Sequence, residues 1–190
     1  REVSRLYAME LEPLAQSAVI GEVEASSAPR DVVVTAAGSL PGDLQKVWRA
    51  RDALSYQVEY GNSVMGYEIP GAIGAKLAAP DREVYCFVGD GTFQMIPSDL
   101  SLVTQERLKV IFILIDNQGF SSVGRVSEQV GSEGYGCHYR YRTQSGYYDG
   151  EPIFLDLPKV AEGFGLATTT VKTRDELRDA VGNRLVRLRQ

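Results

Sequence analysis

The chain has 190 residues, 44% of them hydrophobic, which is enough to bury a core of its own, and a single domain spanning 1–190 is the expectation. A formal charge of −5, with no basic stripe ahead of the tail, argues against nucleic acid or an anionic membrane as partner and favours small molecules or protein. No apolar run reaches membrane-spanning length and no signal peptide is visible, so the expected location is the cytoplasm; Cys86 and Cys137 do not make a disulfide framework, which suits a reducing compartment.

In chain order, Leu11 to Glu24 shows helical apolar spacing, and "SSAPRD" breaks it. "VVVTAAG", Val32 to Gly38, has the β-branched density of a buried strand; "SLPGD" reads as a loop and "LQKVWRARDAL" as a helix. "YQVEYG" is a short strand, after which a loop enters a small-residue helix that stops before Pro80. Val84 to Val88 is a continuous apolar strand, "IPSDLSLVTQERL" a helix that tolerates Pro97 in its first turn, and "KVIFILID" a second apolar strand. Ser121 to Gly150 is Gly/Ser/Tyr-rich and too long for a simple connection, so it reads as a functional or mobile loop with a short helix. A helix, a short strand at Ala167 to Val171 and a helix opened by the Thr173–Glu176 capping box complete the pattern. Uninterrupted apolar strands joined by a helix mark a parallel βαβ unit, and the predicted fold is a three-layer α/β/α domain with a mainly parallel sheet.

The chemistry concentrates in "VGDGTFQM" and "LIDNQGF". Both stretches close strands of one parallel unit, so their loops leave the same sheet edge, about 4.8 Å apart. Asp90 and Asn117 can converge there; with a backbone carbonyl from the "NQGF" turn they offer hard oxygens that suit Mg²⁺ or Ca²⁺ better than zinc. Mg²⁺ keeps places for phosphate oxygens, and Gly89 and Gly91 would let backbone approach a diphosphate, with the helix near Pro97 adding a favourable N-terminal field. Taken singly, each stretch is as readily a plain loop or turn. Jointly, 25 residues separate Gly91 from Asn117, a span that one helix and one strand fill.

"GDGTFQM" followed by "LIDNQGF" resembles the cofactor motif of the pyrophosphate-binding domain of thiamine diphosphate (ThDP) enzymes. The resemblance implies that Asp90 and Asn117 are side-chain ligands of Mg²⁺, that the carbonyl of Gly119 is a backbone ligand, and that Gly91 and Thr92 lie against the diphosphate. It also implies that Met65, in "NSVMGYEIPGAIGAKLA", is the bulky apolar residue that bends the cofactor; a gap-filling core methionine is the alternative. Gly38 and Ser39, after the first strand, are candidates for a loop near the diphosphate, or a plain strand-to-helix connection.

Within this family, "AAGSLPGDLQKVWRARD", "VEYGNSVMGYEIPGAIGAKLAAPDREVY" and "GSEGYGCHYRYR" are similar to the branch that hydrolyses a C–C bond of a cyclic 1,2-dione in myo-inositol catabolism. An acetolactate synthase-like carboligase or decarboxylase and a non-catalytic α/β interaction domain are the alternatives. The family's activating glutamate belongs to a pyrimidine-binding domain, usually of a partner subunit, so the resemblance implies a homo-oligomeric full-length enzyme of which this chain is a fragment, inactive alone. Glu59 and Glu68 are not assigned that role and are expected on a strand end and a helix flank, solvated or locally paired. His138 is expected at the surface, while Tyr139, Arg140, Tyr141 and Arg142 line an entrance for a polyol or form a solvated loop. The tail "GNRLVRLRQ" stands where the family has its last strand, and its arginines 184, 187 and 189 are expected on a helix face.

Overall fold

The computed structural model describes residues 2–11 and 13–182, so the expected basic helix face of the tail lies outside the described residues. Four strands, β1 (Val32–Thr35), β2 (Tyr56–Val58), β3 (Val84–Gly89) and β4 (Ile111–Ile115), pair in parallel in the order β2-β1-β3-β4. The helices are α1 (Glu2–Tyr7), α2 (Gln16–Ser26), α3 (Ser39–Val47), α4 (Glu68–Ala78), α5 (Asp90–Phe93), α6 (Leu100–Gln105), α7 (Ser121–Gln129), α8 (Leu157–Gly163) and α9 (Arg174–Gly182), with a 3₁₀ turn over Pro97–Asp99.

Alternation along the strands divides the core in two. Val32, Val34, Val84, Cys86 and Val88 pack with Ile69 and Ile73 of α4 and Leu100 and Val103 of α6. Val33, Tyr85 and Phe87 face the other way, against Ile20 and Val23 of α2, Leu44 of α3 and Leu177 and Val181 of α9. This is why both central strands read as unbroken apolar runs: helices cover both faces, as the expected three-layer fold requires. Full burial of a side chain such as Phe87 or Leu44 is worth about 1.5–3 kcal/mol, more than the propensity of any short helix here supplies.

Several boundaries differ from the sequence expectation, beginning with α2, which opens at Gln16 rather than Leu11 and follows the short helix α1, which that expectation does not include. "SLPGD" is the first turn of α3 rather than a loop, and the helix stops at Val47, so Trp48 to Leu54 is not helical. The stop has a cause: Arg49 Nε donates to the buried Glu24 carboxylate at 2.8 Å and Arg51 Nη2 to the Ser27 carbonyl at 2.8 Å, drawing the chain across the end of α2. Ala167 to Val171 forms no ladder among the described residues; its β-branched content reads as strand, but without a paired neighbour it is not one, and only Val171 packs on the second core. The polar stretch from Ser121 begins with α7 and continues as ordered turns, tied down by antiparallel bridges Gly119–His138 and Arg140–Pro152. The capping box is present: Glu176 N donates to Thr173 Oγ1 at 3.3 Å and Thr173 N to Glu176 Oε2 at 3.2 Å. Among the described residues no helix is long and apolar enough to cross a membrane.

Candidate cofactor and metal site

From β1 the chain crosses to β2 on one side, and from β3 to β4 on the other. Ligands of parallel sheets bind beyond the C-terminal strand ends at such a switch point. Four loops meet there: 36–39 after β1, 64–67 before α4, the Gly89–Asp90 corner after β3, and 116–120 after β4.

β3 and β4 run in register to their ends, with Gly89 opposite Ile115, so the residues that follow emerge side by side. Asp90 is 1% exposed, and its two oxygens accept from backbone amides, Oδ1 from Gly91 N at 2.8 Å and Oδ2 from Gly119 N at 2.9 Å. The second bond joins the two motifs across 29 residues of chain. Burial pushes the Asp90 carboxyl up to about 6; the amides of Gly119 and Gly91 oppose this, and the charge of nearby Asp116 adds to it. Asn117 lies two residues before Gly119 on the exposed side of the turn, its Oδ1 accepting from Ser121 Oγ at 2.7 Å. The structure therefore brings Asp90, Gly91, Thr92 and Gly119 together and sets Asn117 at their rim. A helical turn begins at Asp90 itself, much nearer the motif than the helix expected at Pro97.

Close approach explains the motif's glycines. A Cβ on Gly91 would meet the Phe120 ring at 2.7 Å, and one on Gly119, whose φ is +152°, would overlap the Cys137 carbonyl oxygen. Phe120 N donates to Cys137 O at 2.8 Å and Tyr139 N to Gln118 O at 3.1 Å, so residues 137–139 form a backbone clasp along the 118–120 turn. Tyr139 stacks edge-on against Phe120 and accepts from Gln94 Nε2 at 2.6 Å, its hydroxyl pushed up to about 12 by burial and by the Asp90 charge. Sequence reasoning missed Phe120, Gln94 and the backbone part of this clasp, because the partners come from three separate segments.

Gly38 and Ser39 are exposed at the start of α3, and Met65 is half-buried in the loop before α4. A Cβ on the neighbouring Gly66 would lie 3.3 Å from Ile96, which fixes that loop beside the exit of α5. Glu59 is locally paired, as expected, accepting from Asn62 N at 2.9 Å and Val64 N at 2.7 Å. Glu68 is not solvated: it is 1% exposed, with Oε1 accepting from Ala37 N at 3.0 Å and Oε2 from Gly66 N at 3.1 Å. Burial raises its pKa, and those amides and the nearby Thr92 hydroxyl hold it down. Residue types give little sign of this: Glu68 lies on one i, i+4 line with Ala72 and Lys76, both buried, but a glutamate and a lysine do not mark an apolar stripe. His138 is half-exposed, 4.0 Å from Glu128, and Arg140 and Arg142 brace their own loop by donating to Gly150 O and Gly146 O.

The donor set fits a magnesium diphosphate. A buried carboxylate, a neighbouring amide oxygen and a backbone carbonyl are hard ligands that leave places for phosphate oxygens. Thr92 Oγ1, near Glu68 but outside hydrogen-bond geometry, and Gln118 Oε1 are buried polar atoms at this rim without a hydrogen-bond partner among the described residues.

Residues 36–186 match the family described as thiamine pyrophosphate enzyme, C-terminal TPP binding domain, and the chain belongs to that family. It is 46% identical over 169 residues to the 3D-(3,5/4)-trihydroxycyclohexane-1,2-dione hydrolase of Geobacillus thermodenitrificans (strain NG80-2), covering 88% of this chain and 26% of that protein. A protein of the same name from Clostridium perfringens (strain 13 / Type A) is 42% identical over 168 residues, with the same coverage. The chain thus spans about a quarter of the length of the curated relatives it matches. The thiamine diphosphate-dependent 4-hydroxybenzoylformate decarboxylase of Rhodococcus jostii RHA1 superposes with a TM-score of 0.77 over 94% of this chain and 31% of that one; at 22% identity this shows the shared fold.

Proposed function

We propose that this chain is the ThDP- and Mg²⁺-binding part of a hydrolase that opens the ring of 3D-(3,5/4)-trihydroxycyclohexane-1,2-dione, giving 5-deoxyglucuronate in myo-inositol catabolism. The observation that carries the cofactor reading is the 2.9 Å bond from Gly119 N to Asp90, which seats the two halves of the motif on one rim. The substrate reading is supported by the 46% and 42% identity to relatives of that name.

Asp90, Asn117 and the Gly119 carbonyl would hold Mg²⁺, and Gly38, Ser39, Gly89, Gly91 and Thr92 would lie along the diphosphate. Met65 would press on the cofactor from the loop before α4. When bound, thiamine diphosphate supplies the electron sink for breaking a C–C bond beside a carbonyl. The chain's own part is binding and orientation: Asp90 is held ready by two amides, and the clasp through Phe120 and Tyr139 keeps the metal turn against it. The activating glutamate and most substrate contacts belong to the remainder of a cytoplasmic, homo-oligomeric enzyme, including a partner subunit's pyrimidine-binding domain, so the 190-residue chain alone is inactive. Its two free thiols, Cys86 and Cys137, suit a reducing compartment.

The test is an assay of the full-length protein with the cyclic dione and, separately, with pyruvate. Ring opening of the dione with no turnover of pyruvate is expected. Pyruvate decarboxylation or carboligation without dione hydrolysis would replace this reading with an acetolactate synthase-like one.

A further inference from the structure

Glu68 is a carboxylate taken fully out of water, and among the described residues it forms no salt bridge. Burying a charge without a cation is costly, and a well-packed apolar residue of similar size would stabilise the fold at least as well. Its place in the first turn of α4 does not account for the burial, because a solvent-exposed glutamate there would gain the same helix-end interaction. What an apolar residue could not do is grip two backbone amides from two different loops. Ala37 belongs to the loop after β1 and Gly66 to the loop before α4, 29 residues apart in sequence. Each adjoins a candidate cofactor residue, Gly38 in one case and Met65 in the other. The clamp is also anchored from below: Cys86 Sγ, in the central strand β3, donates to the Glu68 carbonyl at 3.2 Å. One residue thus ties β3 and the loops on both sides of the crevice into a single rigid frame.

We propose that Glu68 is a positioning residue of the cofactor cradle, its carboxylate setting the spacing between the 36–39 and 64–67 loops through the amides of Ala37 and Gly66. The proposal rests on the ThDP reading above. Cofactor sites need their loops held to a fraction of an ångström, so loss of one grip costs affinity without any lost contact to the ligand itself.

The experiment titrates the full-length protein with ThDP at saturating MgCl₂ and melts the cofactor-free protein, for the wild type, Glu68→Gln and Glu68→Asp. Glutamine keeps the size but turns an NH₂ toward one of the two amides; aspartate keeps the charge but is too short to span both. Both variants are expected to bind ThDP at least tenfold more weakly and to alter the near-ultraviolet circular dichroism of the bound cofactor, while Glu68→Gln without cofactor melts within a few degrees of the wild type. ThDP affinity within twofold of the wild type in a folded variant overturns the proposal alone. A wild type that does not bind ThDP overturns the cofactor reading and this role with it. If neither variant folds, hydrogen exchange of the cofactor-free wild type decides: protected amides at Ala37 and Gly66 support the clamp, and exchange as fast as at the exposed Ser63 refutes it.

Discussion

Replacing Gly119 by alanine tests how the turn proposed to hold the metal is fixed in place. The new Cβ would overlap the Cys137 carbonyl oxygen and lie 3.0 Å from His138 Cα, both backbone atoms that cannot swing aside. Carbon and carbonyl oxygen approach to about 3.3–3.6 Å, so the 118–120 and 137–139 segments must part by on the order of 1 Å. Parting breaks the bonds from Phe120 N to Cys137 O and from Tyr139 N to Gln118 O, 2.8 and 3.1 Å long, each worth about 1 kcal/mol. Holding alanine at a φ of +152° adds about 1–3 kcal/mol. The sum, about 3–5 kcal/mol, falls on the turn that carries Asn117 and the Gly119 carbonyl, and at about 1.4 kcal/mol per decade it predicts a loss of roughly two to three and a half decades in ThDP affinity at saturating Mg²⁺. The assay is calorimetric titration of the full-length protein, with thermal melting alongside. Because the clasp opens locally, the melting temperature should fall less than the affinity implies. Gly74→Ala is the control: in α4 its Cβ meets nothing within 4 Å, and it should stabilise by up to about 1 kcal/mol. Affinity of Gly119→Ala within threefold of the wild type would refute the argument.

Three further outcomes follow from the same site. With its folded pKa raised to about 6, Asp90 holds a proton that competes with the metal; Mg²⁺-dependent ThDP affinity should fall by up to about tenfold per pH unit below that value. Stability of the metal-free protein moves the opposite way: the carboxyl's contribution is fully present below its unfolded value near 4 and is lost as pH rises through about 6, a slope that Asp90→Asn should remove in urea titrations. Gly91→Ala should destabilise by driving a methyl into the Phe120 ring, and a Phe120→Ala background should relieve most of that clash, so a double-mutant cycle by thermal melting should show clear non-additivity. Additive effects would mean the ring moves freely.

Much of this architecture is legible in the chain because central β3 and edge strand β4 both pack apolar side chains on both faces of the sheet. Val84–Val88 and Lys109–Ile115 show no polar alternation, and that alone separates a parallel layer from a hairpin. The spacing from Gly91 to Asn117 then places both motifs on one edge. Less legible is what depends on distant partners. Ser39–Asp43 reads as a loop by composition, yet Leu40 packs into the core, and Ala167–Val171 looks like strand but pairs with no other strand among the described residues. Glu68 shows the limit best: a glutamate after a loop looks solvated, and only the fold brings Ala37 and Gly66 to its oxygens. The clasp of 137–139 on the 118–120 turn is likewise a backbone pairing, between residues 17 and 21 apart in sequence, which residue types do not encode.

Whether a buried carboxylate anchors a magnesium-bound diphosphate is decided most directly by titrating the full-length protein and its Asp90→Ala variant with ThDP, with and without Mg²⁺. Tight binding by the wild type that needs the metal and vanishes in the variant is the expected result. Binding that is indifferent to Mg²⁺ or to the loss of Asp90 would contradict the account.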